Sequence, residues 1–268
     1  MNHSRRLLYS TTLLSAVIAG IIMIVPSDSP SVQKESITIQ ANASFSNQSV
    51  NIAKNTISEN IAMERKLDGN GDDRITYQPG FYYEPLTDAV KKRIYGYSYK
   101  KDCTIPFESL RYVSVYYKDF KNETKVGEII CNQAIADDLV EIFYELYQAE
   151  YPIGQIRLID EFGADDDLSC LENNTSCFNY RVVSGTTKLS KHAKGLAIDI
   201  NPVYNPYVTY PNGEIHVSPE GSDMYADRNA VFSYKIDEND LCYQLFTAHG
   251  FTWGGNWKTL KDYQHFQK

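Results

Sequence analysis

His192 and Asp199 stand seven residues apart in the run Ser190-Lys191-His192-Ala193-Lys194-Gly195-Leu196-Ala197-Ile198-Asp199, and Asp262 precedes His265 by three. Two imidazoles and one carboxylate make a three-ligand N/O set of the kind that holds a catalytic zinc ion, with a fourth position left for water. The expected metal set is therefore His192, Asp199 and His265, holding one Zn²⁺ per chain. Asp262 is a spare carboxylate beside the second imidazole and can take a proton from that water. These residue types at these spacings point to metal-assisted hydrolysis.

Rigid elements must present such residues. Read as a strand, residues 195–201 send Leu196, Ile198 and Ile200 into a core and turn Ala197, Asp199 and Asn201 to a cleft. His192 then comes from the turn before the strand. Residues 110–117 (LRYVSVYY) alternate and are rich in β-branched and aromatic side chains, which predicts another strand. Asn132 is an N-cap candidate, and Ile135, Leu139, Ile142, Phe143 and Leu146 recur at helical spacing behind it, a stripe that reads as core. Residues 156–159 suggest a further strand, followed by an acidic polar loop over 165–174. Gly250-Phe251-Thr252-Trp253-Gly254-Gly255-Asn256-Trp257 reads as a tight turn that lines a pocket or closes the core.

A chain of 268 residues with 43% hydrophobic content can bury a substantial core. Its net charge of −8 and lack of a dense basic patch exclude nucleic acid as a partner, because such binding rests on phosphate neutralisation. Arg5 and Arg6 precede an apolar run over residues 7–25, the layout of an export signal or of an N-terminal membrane anchor. The anchor is preferred, since no usual cleavage site follows closely. Either reading places the rest of the protein outside the cytoplasm. Residues 26–79 read as a flexible Ser/Asn-rich spacer, within which Asp68-Gly69-Asn70-Gly71-Asp72-Asp73 is a solvated turn. It lacks the glycine and glutamate that a calcium loop of that type needs at its sixth and twelfth positions. The catalytic domain is then expected over residues 80–268. Cys103, Cys131, Cys170, Cys177 and Cys242 form no C-x-x-C pair, so a cysteine zinc site is not expected. Cys170 and Cys177 bracket a short polar loop and are a possible disulfide in an exported protein.

Ser-x-His-x-x-Gly-x-Ala-x-Asp followed by a distal Asp-x-x-His resembles the zinc peptidases grouped with lysostaphin, D-Ala-D-Ala metallopeptidases and hedgehog domains. The closer resemblance is to the D-alanyl-D-alanine carboxypeptidase (VanY-type) branch. It extends across residues 173–181, 201–207 and 253–257, and covers roughly residues 80–268. The resemblance implies an α+β fold in which helices pack on an antiparallel sheet that carries the metal. It also implies zinc ligation by His192, Asp199 and His265, general base and acid catalysis by Asp262, and an oxyanion partner in Arg181. Ser190 is a candidate for binding substrate or orienting His192. The implied substrate is the peptidoglycan stem peptide or its precursor, with removal of a terminal D-alanine. An endopeptidase cutting L-alanyl-D-glutamate or cross-bridge bonds, and a non-catalytic cell-wall-binding module, are the alternatives.

The pattern has departures. Cys170 and Cys177 stand where a Met and a small residue are expected, Asn256 where Asp is usual, and Gln267 where Glu is usual. Taken singly, His192 or His265 is more often a structural histidine, Asp199 a turn residue and Arg181 a surface ion pair. Their ordered combination is what points to zinc. His216 and His249 lie outside the motifs and are read as non-ligands. No Gly-x-Ser-x-Gly elbow or nucleotide-binding glycine loop is present.

Overall fold

Two long strands, β3 (Leu110–Lys118) and β4 (Thr124–Asn132), pair antiparallel from Leu110↔Asn132 to Lys118↔Thr124. They extend a sheet of order β1-β2-β3-β4 that starts with β1 (Ile75–Gln78) and β2 (Phe81–Pro85). These strands belong to a computed structural model that describes residues 73–183 and 185–268. The period-two alternation of side chains gives this sheet two buried faces. Val113, Val115, Tyr117, Ile129 and Cys131 face the larger core, whereas Leu110 and Ile130 face a second cluster with Val90, Ile94, Phe178 and Tyr180. Val90 and Ile94 come from α1 (Asp88–Ile94), whose N-cap Thr87 accepts from Val90 N.

On the larger core lies α2 (Ala136–Gln148), with Leu139, Val140, Ile142, Phe143 and Leu146 buried along one stripe. Each such side chain stabilises by about 1.5–3 kcal/mol when removed from water, well above any difference in helix propensity. Asn132 caps the 3₁₀ turn that leads into this helix, accepting from Ala134 N. Asp137 and Asp138 then place negative charge at its N-terminus, where the helix dipole favours it.

The site is carried by smaller elements. Strands β7 (Ala197–Asp199), β10 (Thr252–Trp253) and β12 (His265–Gln267) form an antiparallel sheet of order β10-β12-β7. A second sheet of order β11-β8-β9 contains β8 (Tyr207–Thr209), β9 (His216–Ser218) and β11 (Lys261–Asp262). A two-residue parallel pair joins β5 (Gln155–Ile156) to β6 (Asn174–Thr175). Helix α3 (Asp166–Leu171) lies between β5 and β6 in sequence, and α4 (Leu241–Ala248) backs the site sheet by stacking Phe246 on Phe266 at 4.5 Å. Helices and antiparallel sheets together make the α+β fold that the sequence predicts.

Several boundaries differ from the sequence reading. The fold starts ahead of Gly80, because β1 pairs with β2 and belongs to the sheet. The strand expected over 156–159 ends at Ile156, and Ile159–Phe162 is a 3₁₀ turn. The acidic loop holds helix α3, started by Asp165 accepting from Leu168 N. Cys170 and Cys177 are both free thiols: Cys170 Sγ lies 3.9 Å from Gln264 Oε1, and Cys177 Sγ donates to the Gly195 carbonyl at 3.7 Å. The expected disulfide is therefore absent, each sulfur being turned to a different neighbour. The signal or anchor over 1–25 and most of the spacer, through residue 72, lie outside the described residues. Among the described residues no helix is long and apolar enough to cross a membrane.

Gly195 joins the two parts of this architecture. It adopts φ +66°, and a Cβ there would lie 2.6 Å from the Asn132 nitrogen, the same N–H that donates to the Gly195 carbonyl at 2.8 Å. Gly195→Ala is expected to destabilise the protein by about 1–2 kcal/mol from left-handed backbone alone, and further through that collision. Urea unfolding of the purified protein measures it, and an unchanged midpoint would count against the tight junction.

Candidate metal centre

The register of the site sheet sets Asp199 opposite His265 and Ile198 opposite Phe266. Directly paired residues of antiparallel strands project from the same face. Ile198 and Phe266 therefore enter the larger core together, and Asp199 and His265 meet on the other side. His192 comes from the 3₁₀ turn His192–Lys194, which Gly195 ends with its left-handed conformation. Ser190 Oγ accepts from His192 N at 3.2 Å, so this hydroxyl shapes the turn that presents the imidazole.

The three side chains converge. His192 Nε2 is 3.1 Å from His265 Nδ1 and 3.2 Å from Asp199 Oδ2, and His265 Nδ1 is 3.0 Å from Asp199 Oδ1. All three residues are buried, with ligand atoms within 4.8 Å of one another. Zinc–ligand bonds of ~2.0–2.1 Å in a tetrahedron place ligand atoms about 3.3–3.4 Å apart, close to what is seen here.

The outer nitrogens fix the tautomers. His192 Nδ1 donates to the Cys177 carbonyl at 2.7 Å, and His265 Nε2 donates to Gln267 Oε1 at 3.1 Å. Both neutral rings then aim lone pairs at the same point, beside a carboxylate. Such an arrangement calls for a cation, and outer hydrogen bonds of this kind are how metal-binding histidines are oriented. In the metal-free protein a proton takes that place. Burial opposes charge on His265, but its hydrogen bond to Asp199 and the Asp199 and Asp262 charges outweigh burial and raise it to about 9. Burial likewise pushes Asp199 upward, yet His192 and His265 hold it far below the usual carboxylate range. Because zinc takes the neutral ring, loading at pH 7 is expected to release about one proton, from His265. Calorimetry in buffers of different ionisation enthalpy measures this, and zinc uptake with no proton release would contradict it.

Asp262 stands at the edge of this set, its Oδ2 4.0 Å from His265 Nδ1. Its Oδ1 is buried and has no hydrogen-bond partner among the described residues. Burial pushes this carboxyl up to about 6, against the pull of His265 and with the help of the Asp199 charge. Gly254 makes room for it: a Cβ there would lie 2.5 Å from the Asp262 carbonyl oxygen and 2.8 Å from its Cβ. The glycine and aromatic segment is thus a shelf beneath Asp262, and Trp257 sets its ring 5.3 Å from that of His265.

Arg181 is tethered by Asp166 of α3, with Nη2 2.6 Å from Oδ2, while its Nε–H is buried and has no partner among the described residues. His249 bonds Asp138 at 3.2 Å and His216 is exposed, so neither joins the donor set. The sequence named Gln267, Cys177 and Gly254 without these roles, and Asp166 went unmarked beyond its place in an acidic loop. Gln267 was legible as the residue two positions after His265 on one strand face. Nothing in the local sequence marks the pairing of Asp166 with Arg181. Asn201, expected at the cleft, is fully buried with φ 47°, and its amide links Pro152 O and Gly154 N.

Residues 184–268 match a family model described as D-alanyl-D-alanine carboxypeptidase. No curated protein and no solved structure matches the chain. Arg181 and Asp166 precede the matched segment, whereas all three donors and Asp262 lie inside it. By that match, the segment that carries the three donors and Asp262 is similar to the D-alanyl-D-alanine carboxypeptidase family of peptidases.

Proposed function

We propose that this protein is a zinc-dependent peptidase that removes the terminal D-alanine from peptidoglycan stem peptides or their precursors, outside the cytoplasm. The observation that carries the reading is the donor triad of His192, Asp199 and His265, with an unpartnered carboxylate oxygen of Asp262 beside it. The family match supports the peptide substrate, and the export-type segment over residues 1–25 supports the location. Through that segment, if uncleaved, the protein also engages the membrane.

Zinc held by the triad supplies Lewis acidity toward a carbonyl and lowers the pKa of a water to about 7. The chain's own groups do the rest. Asp262 Oδ1 accepts the proton of the attacking water and later returns it to the leaving amine, a role suited to a buried carboxylate oxygen with no partner among the described residues. Arg181 remains cationic, and its free Nε–H is a donor for negative charge that develops on the substrate. Asp166 holds the guanidinium so that this donor is positioned before substrate arrives. A purely structural metal needs neither Asp262 nor Arg181, which favours the enzyme over a wall-binding module.

Incubation of the zinc-loaded protein with defined muropeptides tests the assignment. Release of free D-alanine from a pentapeptide ending in D-Ala-D-Ala is expected. Two peptide fragments with no free D-alanine would make it an endopeptidase, and no hydrolysis of any muropeptide would remove the peptidase reading.

A further inference from the structure

Tyr207 ends the 201–207 segment of the resemblance, where no role falls to it, and it stands outside the donor set. It lies on β8 directly opposite Asp262 of β11, so the two side chains leave the sheet on the same face. The neighbouring pair, Lys261 opposite Val208, faces the other way, with Val208 buried. Asp262 is turned toward His265, and Tyr207 is consequently directed to the same side of the metal centre. Burial, and then the Asp262 charge, raise its phenol against the opposing Arg181 charge, so the phenol keeps its proton. Its hydroxyl makes no hydrogen bond among the described residues. Two buried atoms, Asp262 Oδ1 and Arg181 Nε, thus lack partners among the described residues, and the half-buried Tyr207 hydroxyl feels the charges of both side chains. Of these three groups one is an acceptor and two are donors, which is the complement of a water about to attack and a carbonyl oxygen about to become negative.

We propose that Tyr207 is a catalytic residue whose phenol O–H donates a hydrogen bond to the oxyanion formed at the scissile carbonyl. This rests on the peptidase reading. As the water oxygen bonds to the carbonyl carbon, the π pair of the C=O bond moves onto the carbonyl oxygen, and the water proton passes to Asp262. Tyr207 keeps its own proton and shares it with the new anion, alongside Arg181. The hydrogen bond is stronger to the anion than to the neutral carbonyl, so its loss falls on the chemical step.

Tyr207→Phe in the full chain, loaded with zinc, tests this. Loss of one oxyanion donor costs about 10²–10³-fold in kcat where it acts with few others. With Arg181 sharing the charge, the expected fall is roughly 10–100-fold, with KM within about threefold and one zinc per chain. Binding of a phosphinate pseudodipeptide, which presents a tetrahedral anion without turnover, is expected to weaken by a similar factor. An unchanged kcat, a rise in KM alone, or a loss of zinc in step with activity would each overturn the assignment. A wild-type protein that hydrolyses no muropeptide would bring down the peptidase reading and this inference together. An active wild type beside an equally active Tyr207→Phe would bring down this inference alone.

Discussion

Asp262→Asn is expected to keep one zinc per chain and to lower kcat by about 10²–10⁴-fold, the range that a positioned acid–base group contributes. The asparagine preserves the shape that Gly254 accommodates, so the effect should be chemical and not structural. Metal content should survive because Asp262 stands outside the donor triad, its nearer oxygen 4.0 Å from His265. What is lost is the buried, unpartnered Oδ1 that is placed to accept a proton. Burial has already raised this carboxyl to about 6 in the metal-free protein, and a dication beside it will pull it down again. Stopped-assay kinetics with metal analysis on the same sample measure both quantities. Full activity in the variant would show that the proton is carried elsewhere.

His192→Ala is expected to abolish stoichiometric zinc binding and with it hydrolysis. Loss of an outer-shell partner costs ~10–100-fold in metal affinity, and loss of a direct ligand should exceed that. His192 is the one donor that does not come from the site sheet, and its turn is built around it by Ser190 Oγ and Gly195. Removing the ring leaves His265 and Asp199 as a proton-bridged pair, still satisfied with each other. The fold should therefore persist while the metal is lost. Equilibrium dialysis with zinc, alongside a thermal unfolding curve, separates these outcomes. A variant that holds zinc as tightly as the wild type would mean that the triad is not the metal site.

The outward face of Asp199 was legible because strand periodicity is strict, whereas His192 and His265 were read from residue type and spacing. Placing Ile198 inside forces Asp199 outward, and the same alternation separates Phe266 from His265. The stripe of α2 was legible for the equivalent reason at helical period. Asn201 shows where such reading fails: the strand ends at Asp199, and a left-handed residue two positions later no longer shares its face. Helix α3 was hidden because it is six residues long and its Leu168 and Leu171 remain exposed, so no apolar stripe announces it. Its consequence, the anchoring of Arg181 by Asp166, is a tertiary contact that local pattern does not encode. The placement of Tyr207 was hidden likewise, since the register of β8 against β11 is what sets it beside Asp262.

The same register view explains why the outer partners matter. Gln267 follows His265 on one strand and accepts its Nε2–H, while the Cys177 carbonyl does this for His192. A neutral amide at position 267 fixes the His265 tautomer without adding a charge behind it. The negative charge near that ring then comes from Asp199 and Asp262, both on the side where the metal is to bind.

The most direct test of the account is D-alanine release from a pentapeptide ending in D-Ala-D-Ala, followed through chelation and stepwise return of zinc. The account predicts that release stops when the metal is stripped and is restored in full at one equivalent of zinc per chain. Release that continues unchanged in the metal-free protein would contradict it.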